Sequence, residues 1–133
     1  MRAHRRCQLL FVTAAVSSMV PSPARAFDDA DFCAAVKQFA IAAEKDVGLW
    51  VDRVTRNGGM SFSCERKLVE FKRFTYAPSA SMNGAWKERK AAEWSASECG
   101  SQVWGDAIRN RWKIVLSVTS ADGGQVRFTA QCD

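Results

Sequence analysis

The sequence is almost without histidine: His4 is the only one among 133 residues. His4 lies within residues 1–26, a segment with the features of an export signal. If that segment is removed, the remaining chain contains no imidazole. It then cannot form a Ser-His-Asp triad, a Cys–His pair or a histidine metal site. We therefore expect no catalytic residues, no metal and no cofactor of these kinds.

Long apolar runs are also scarce. The one candidate, Cys7–Val20, follows an arginine-rich start and precedes an Ala-Arg-Ala motif that ends at Ala26. This order is typical of a cleavable signal peptide, with cleavage between Ala26 and Phe27. The run is too short, and too rich in Ser, Thr and Ala, to favour a permanent membrane anchor. We expect residues 1–26 to be removed and residues 27–133 to form one small exported domain, in the periplasm or outside the cell, with no stable membrane insertion after cleavage.

An excess of one charge is absent once the signal is set aside. The whole chain has 19 Lys and Arg, 14 Asp and Glu, and a formal net charge of +5. Four arginines and no acidic residue lie in the signal, so 15 basic residues face 14 acidic ones in the remaining domain, a net charge of +1. This near balance argues against a nucleic acid as the partner.

Closely spaced cysteine pairs of the metal-binding type are missing as well. Outside the signal the chain has four cysteines: Cys33, Cys64, Cys99 and Cys132. An even number of cysteines in an exported domain indicates disulfides, and four of them allow three pairings. We favour Cys33–Cys64 with Cys99–Cys132, because each pair then joins one predicted element to a nearby one.

The hydrophobic pattern predicts alternating groups of helices and strands. Apolar residues at helical spacing follow a cluster of capping aspartates, and later segments alternate between apolar and polar residues. Asn57-Gly58-Gly59 predicts a turn before the first hairpin, and Asp122-Gly123 predicts the turn of the second. The predicted elements are a helix over 29–47, strands over 60–64 and 68–76, helices over 85–96 and 99–111, and strands over 112–119 and 125–132.

This order predicts an α+β fold. Two hairpins build an antiparallel sheet of about four strands, and the helices pack on one face of it. Such a small domain has a modest core, so the disulfides act as staples.

Several positions fit a pattern seen elsewhere. Thr55 precedes the first hairpin, Cys99 opens the later helix, Asp122-Gly123 forms a hairpin turn, and Cys132 lies near the chain end. Over about residues 50–133 this pattern resembles small exported proteobacterial proteins of unknown function. The resemblance implies the same fold and export, and it implies no activity.

Tryptophan, in contrast, is in unusual supply, with five residues that all lie outside the signal. Trp86 and Trp94 occur in a polar predicted helix beside Lys87, Arg89 and Lys90, and these five residues form a candidate binding surface. Aromatic rings beside cations can anchor a protein, stack on sugars or hold an anionic polymer. The other interpretation is that the rings fill the core while the basic side chains cover them.

No catalytic motif is present, so we expect a binding or accessory module rather than an enzyme. Its expected partner is a protein in the cell envelope or outside the cell. The alternative is a cell-wall glycan or another anionic polymer bound through tryptophans and basic residues. Raised salt should weaken polymer binding steeply and an aromatic-anchored protein interface much less.

Overall fold

A computed structural model describes residues 26–133, so all but the last residue of the predicted signal peptide lies outside the described residues. An open four-stranded sheet has three α-helices on one face, which confirms the predicted α+β class. The elements are α1 (Asp29–Ala43), β1 (Thr55–Ser63), β2 (Leu68–Thr75), α2 (Gly84–Gly100), α3 (Gln102–Arg109), β3 (Lys113–Ser120) and β4 (Gln125–Thr129). Two short 3-10 turns occupy Glu44–Asp46 and Ser79–Ser81.

The sheet has the strand order β1-β2-β3-β4 and is mostly antiparallel. The two predicted hairpins form the pairs β1–β2 and β3–β4. They meet through a parallel pair, in which Leu68 lies opposite Lys113 and Thr75 lies opposite Ser120. The pair is parallel because α2 and α3 carry the chain back to the starting end of β2 before β3 begins.

Both disulfides lie at one end of the sheet. Cys33–Cys64 joins α1 to the β1–β2 turn, with a Cα–Cα distance of 5.8 Å. Cys99–Cys132 joins α2 to the segment after β4, with a Cα–Cα distance of 5.5 Å. This is the pairing that the sequence favoured. We name this region the stapled end, and we name the opposite end, where β1 and β4 begin and β2 and β3 finish, the open end.

The larger of the two buried clusters lies at the stapled end. Phe32 of α1 contacts the rings of Trp104 and Trp112, with centroid distances of 5.9 and 4.6 Å. The indole N–H of Trp112 donates a hydrogen bond of 2.8 Å to the Oδ1 atom of Asp29. Aliphatic side chains complete this cluster, among them Val36, Val69 and Ile114. Helix α1 is thus held by aromatic packing, a partly buried hydrogen bond and a disulfide.

The predicted turn at Asn57-Gly58-Gly59 is wrong. These residues lie inside β1, which begins at Thr55, and strand pairing is interrupted between Asn57 and Met60. Gly59 has a φ of 88°, and its N–H donates to the Oδ1 atom of Asn57 at 2.9 Å. The glycines therefore form a β-bulge, in which an extra residue bends the strand without reversing it.

The boundary between the second and third helices also differs from the prediction. Helix α2 continues to Gly100 and includes Cys99, which the sequence placed at the start of the next helix. Ser101 separates the helices, and its Oγ atom caps α3 by accepting a hydrogen bond of 3.3 Å from the N–H of Trp104. Among the helices of residues 26–133, none combines the length and the apolar character that a membrane crossing requires.

Candidate binding site at the open end of the sheet

An irregular segment, residues 47–54, lies at the open end; we name it the apolar loop. It connects the Glu44–Asp46 turn to β1, and Asp52 shapes it by accepting a hydrogen bond of 2.8 Å from the N–H of Val54. The large apolar side chains of this loop are between 47% and 56% exposed: Val47, Leu49, Trp50, Val51 and Val54. Scattered apolar residues are normal on a surface, but five exposed large apolar residues within this short segment make the loop a candidate contact region.

Trp50, Arg56 and Tyr76 form a stacked cluster beside this loop. The guanidinium carbon of Arg56 lies 4.1 Å from the ring centroid of Trp50 and 5.9 Å from that of Tyr76. The two rings lie 5.7 Å apart. The Nε atom of Arg56 is buried and has no hydrogen-bond partner among the described residues, so the aromatic faces hold this cation in place.

Beneath the apolar loop lies a cavity of ≈ 200 Å³. It occupies the space between the loop, the helix-facing side of the sheet and the first half of α2. Its charged lining residues are Asp52, Arg73 and Lys90. The rest of the lining is largely apolar, with side chains from every surrounding element: Val51, Val54, Met82, Trp86, Leu116 and Val118.

Arg73 is the unusual residue of this cavity. It occupies an inward position of β2, between Asn57 of β1 and Val118 of β3, and follows the inward-facing Phe71 on the same strand. Its Nη1 atom donates to the Oδ1 atom of Asn57 at 3.3 Å and to the carbonyl oxygen of Lys72 at 3.1 Å. No carboxylate in residues 26–133 lies within ion-pair distance of it.

Burial affects the charge of Arg73. Removal from water lowers the pKa of its guanidinium from the ordinary value, and the negative charge of Glu98 on α2 partly opposes this effect. An arginine stays protonated at neutral pH in any such setting. The cavity therefore contains a half-buried positive charge that pairs with an amide and a carbonyl rather than with an anion.

The other two charged residues are engaged at the rim. The N–H of Val54 lowers the pKa of the Asp52 carboxyl, and the positive charge of Lys90 adds to this effect. The Nζ atom of Lys90 forms an ion pair of 3.4 Å with Glu93 on the exposed side of α2. The lining thus combines two cations with one carboxylate, which already accepts a backbone hydrogen bond.

The structure places both tryptophans of the predicted binding surface against the core. Trp86 is half-buried, lines the cavity and packs at 5.7 Å between ring centroids on Phe128 of β4. Trp94 is half-buried too, and its indole N–H donates to the carbonyl oxygen of Ile114 at 3.2 Å. Their rings therefore do not form an exposed platform.

The three cations of the predicted binding surface differ in their surroundings. Lys87 and Arg89 are exposed on α2, and neither lines the cavity. Lys90 is half-buried and lines the cavity together with Trp86. The structure thus brings together one tryptophan and one cation of the five predicted residues.

Sequence reasoning missed Trp50, Arg56, Arg73 and Tyr76. Trp50 and Tyr76 are far apart in the sequence, and only the return of β2 beside β1 brings them together. A signal for Arg73 did exist. Side chains alternate between the two faces of a strand, so the pattern that turns Phe71 inward also turns Arg73 inward.

Comparisons with known proteins concern the fold alone. No family model and no curated protein matches the sequence. The fold is similar to the crystal structure of a candidate secreted protein from Pseudomonas aeruginosa, with a TM-score of 0.59 and 10% sequence identity. The likeness covers 79% of this chain and 95% of that chain. This agrees, at the level of the fold, with the resemblance to exported proteobacterial proteins.

Proposed function

We propose that the chain is an exported binding module, and that it recognises a protein of the cell envelope or the exterior through the open end of its sheet. Three observations support export: the signal-like sequence of residues 1–26, the two disulfides, and a fold shared with a candidate secreted protein. Disulfides of this kind form and persist in oxidising compartments.

The observation that carries the proposal is the stacked cluster of Trp50, Arg56 and Tyr76 beside the exposed apolar loop. Tryptophan, tyrosine and arginine are the residue types that dominate binding energy in protein interfaces. Here they are stacked on one another before any partner arrives. A partner that docks on them therefore pays a smaller entropic cost for ordering side chains.

Binding of a glycan or another anionic polymer is the alternative. It would use Lys87 and Arg89, which are exposed, but Trp86 packs on Phe128 and Trp94 bonds to the Ile114 carbonyl, so the two rings do not form an exposed stacking platform beside them. The arrangement of the side chains therefore favours the protein partner.

Alanine substitution of the cluster tests the proposal. The oxidised domain is immobilised, proteins retained from the exported fraction are identified, and the partner is purified for affinity measurements. We expect Trp50→Ala and Tyr76→Ala each to weaken that affinity on the order of 10-fold or more, as at an interface hot spot. The matched control is Val103→Ala on α3, which changes an equally exposed apolar residue of the stapled end and should leave the affinity unchanged.

The polymer alternative makes the opposite prediction. Retention would then fall steeply with added salt and with Lys87→Ala or Arg89→Ala, because both cations would pair with the polymer. Unchanged affinity in Trp50→Ala and Tyr76→Ala would contradict the proposed protein-binding function.

A further inference from the structure

We propose that the cavity beneath the apolar loop is a separate binding site for a small amphiphilic carboxylate. The carboxylate would pair with Arg73, and the apolar part would lie against Trp86, Leu116 and Val118. This inference concerns a small molecule in the interior and does not depend on the protein partner proposed for the exterior.

The size and lining of the cavity define the apolar part of the ligand. An apolar cavity of about 150 Å³ can admit benzene. The cavity at the open end measures ≈ 200 Å³, so it can take a phenyl ring or a short alkyl chain together with a small head group. It is smaller than the pockets of about 300–1,000 Å³ that hold drug-sized molecules. A short acid therefore fits better than a long-chain fatty acid or a nucleotide.

The position of Arg73 defines the charge of the head group. Within residues 26–133 no carboxylate lies within ion-pair distance of this half-buried cation, and the negative charge of Glu98 acts on it from farther away. A half-buried cation without a direct ion pair is costly, and a guanidinium pairs well with a carboxylate because two parallel hydrogen bonds match its shape. Both hydrogen bonds that Arg73 makes within residues 26–133 come from Nη1. The donors on Nε and Nη2 make no hydrogen bond within the described residues, so they are free to pair with a carboxylate.

The surrounding charges agree with an anionic ligand. Lys90 adds a second cation at the rim, and its ion pair with Glu93 lies on the exposed surface of α2. Asp52 is the one carboxylate of the lining, and its Oδ1 atom already accepts the N–H of Val54. Among the lining residues, a bound carboxylate would therefore meet more positive than negative charge, and Glu98, whose charge also acts on Arg73, does not line the cavity. A cationic ligand would have to approach Arg73 and Lys90 together.

The test compares two probes of almost equal shape, 3-phenylpropionate and its neutral amide, 3-phenylpropionamide. Binding to the oxidised protein is followed by NMR titration, with the amide signals of Leu116 and Val118 reporting the cavity. We expect the acid to bind the wild-type protein at least about tenfold more tightly than the amide, since the pair with Arg73 is charge-assisted. Arg73→Gln should abolish this preference, and the matched variant Arg89→Gln, which changes an exposed cation outside the cavity, should keep it.

A second variant separates cavity binding from an effect on folding. Ser81 is exposed and lines the cavity, so Ser81→Trp should block it without changing a charge or a core residue, and both probes should then lose binding. Equal affinity for acid and amide in the wild-type protein, or no binding of the acid, would overturn the proposal. The proposal would also be overturned if Arg73→Gln kept the full preference for the acid over the amide, or if the signals shifted by the probe mapped outside the cavity. Because Trp50 and Tyr76 do not line the cavity, failure here leaves the test of the protein partner intact.

Discussion

The two ends of the sheet use the same residue type in opposite ways. At the stapled end Trp112 is 3% exposed, packs on Phe32 and donates its N–H to Asp29. At the open end Trp50 is 53% exposed and carries the guanidinium of Arg56 on its ring. The stabilising contacts of this small domain are thus separated from the surface that we propose as its recognition site. A covalently fixed end allows the other end to expose apolar surface and still keep its shape.

The two ends also differ in the interactions that stabilise them. The stapled end has both disulfides, whereas the open end depends on hydrogen bonds to the carboxylate of Asp122 in the β3–β4 turn. Asp122 accepts bonds from the N–H and the Oγ atom of Ser79, at 3.0 and 2.9 Å, and from the Oγ atom of Ser120. These bonds hold the Ser79–Ser81 turn, which forms part of the cavity wall. Each such bond contributes much less than a disulfide.

The largest expected effect is on stability, and it should differ between the tryptophans of the two ends. Trp112→Ala removes a buried aromatic side chain and should lower the free energy of unfolding by about 3–5 kcal/mol. Trp50→Ala removes an exposed ring and its stacked cation, and should lower it by less than about 1 kcal/mol. Urea denaturation of the oxidised proteins measures both values. Equal losses would contradict the division between a stabilising end and a recognising end.

The next largest effect should come from removing one of the two disulfides. Replacing Cys99 and Cys132 together by serine should lower the free energy of unfolding by about 3–4 kcal/mol, because the unfolded chain regains the freedom of a long loop. The affinity for 3-phenylpropionate should change less than about threefold in the folded variant, since the cavity lies at the other end of the sheet. A folded double variant that has lost the probe would show that the two ends are coupled.

A smaller effect on stability should follow from removing the hydrogen bonds to the Asp122 carboxylate at the open end. The hydroxyl and N–H groups of Ser79 and Ser120 that surround Asp122 hold the pKa of its carboxyl well below the ordinary value of 3.8. The hydrogen bonds to the ionised Asp122 carboxylate therefore stabilise the folded state at pH values above the ordinary pKa. They weaken as the pH falls and the carboxyl becomes protonated. Asp122→Asn should lower the melting temperature at pH 7, by less than the loss of a disulfide, and the difference from the wild-type protein should shrink towards pH 2. A difference in melting temperature that does not vary with pH would contradict the role of the ionised Asp122 carboxylate in these hydrogen bonds.

The stapled end was largely predictable from the sequence, because its signals are local. Helical spacing around Phe32 and Val36 predicted α1, alternating residues predicted both hairpins, and short distances along the chain favoured the observed cysteine pairs. The open end was not predictable in the same way. Asn57-Gly58-Gly59 suits a bulge as well as a turn, and only pairing with β2 decides between them.

The candidate site was the least predictable feature. Trp86 and Trp94 stood out because cations lie beside them in the sequence, but on α2 both turn towards the sheet. The observed cluster joins Trp50 to Tyr76 across a strand pairing, which residue spacing does not reveal. Local sequence thus indicated the residue types of the site and not the residues themselves.

The most direct test of recognition at the open end is photo-cross-linking in the cell from two matched positions. A cross-linking residue replaces Val51 at the open end or Val103 at the stapled end, which are 52% and 58% exposed, respectively. We expect a defined covalent adduct with another protein from position 51, lost when Trp50 is also changed to alanine, and none from position 103. Adducts from position 103 alone, or equal adducts from both positions, would contradict the claim that recognition belongs to the open end.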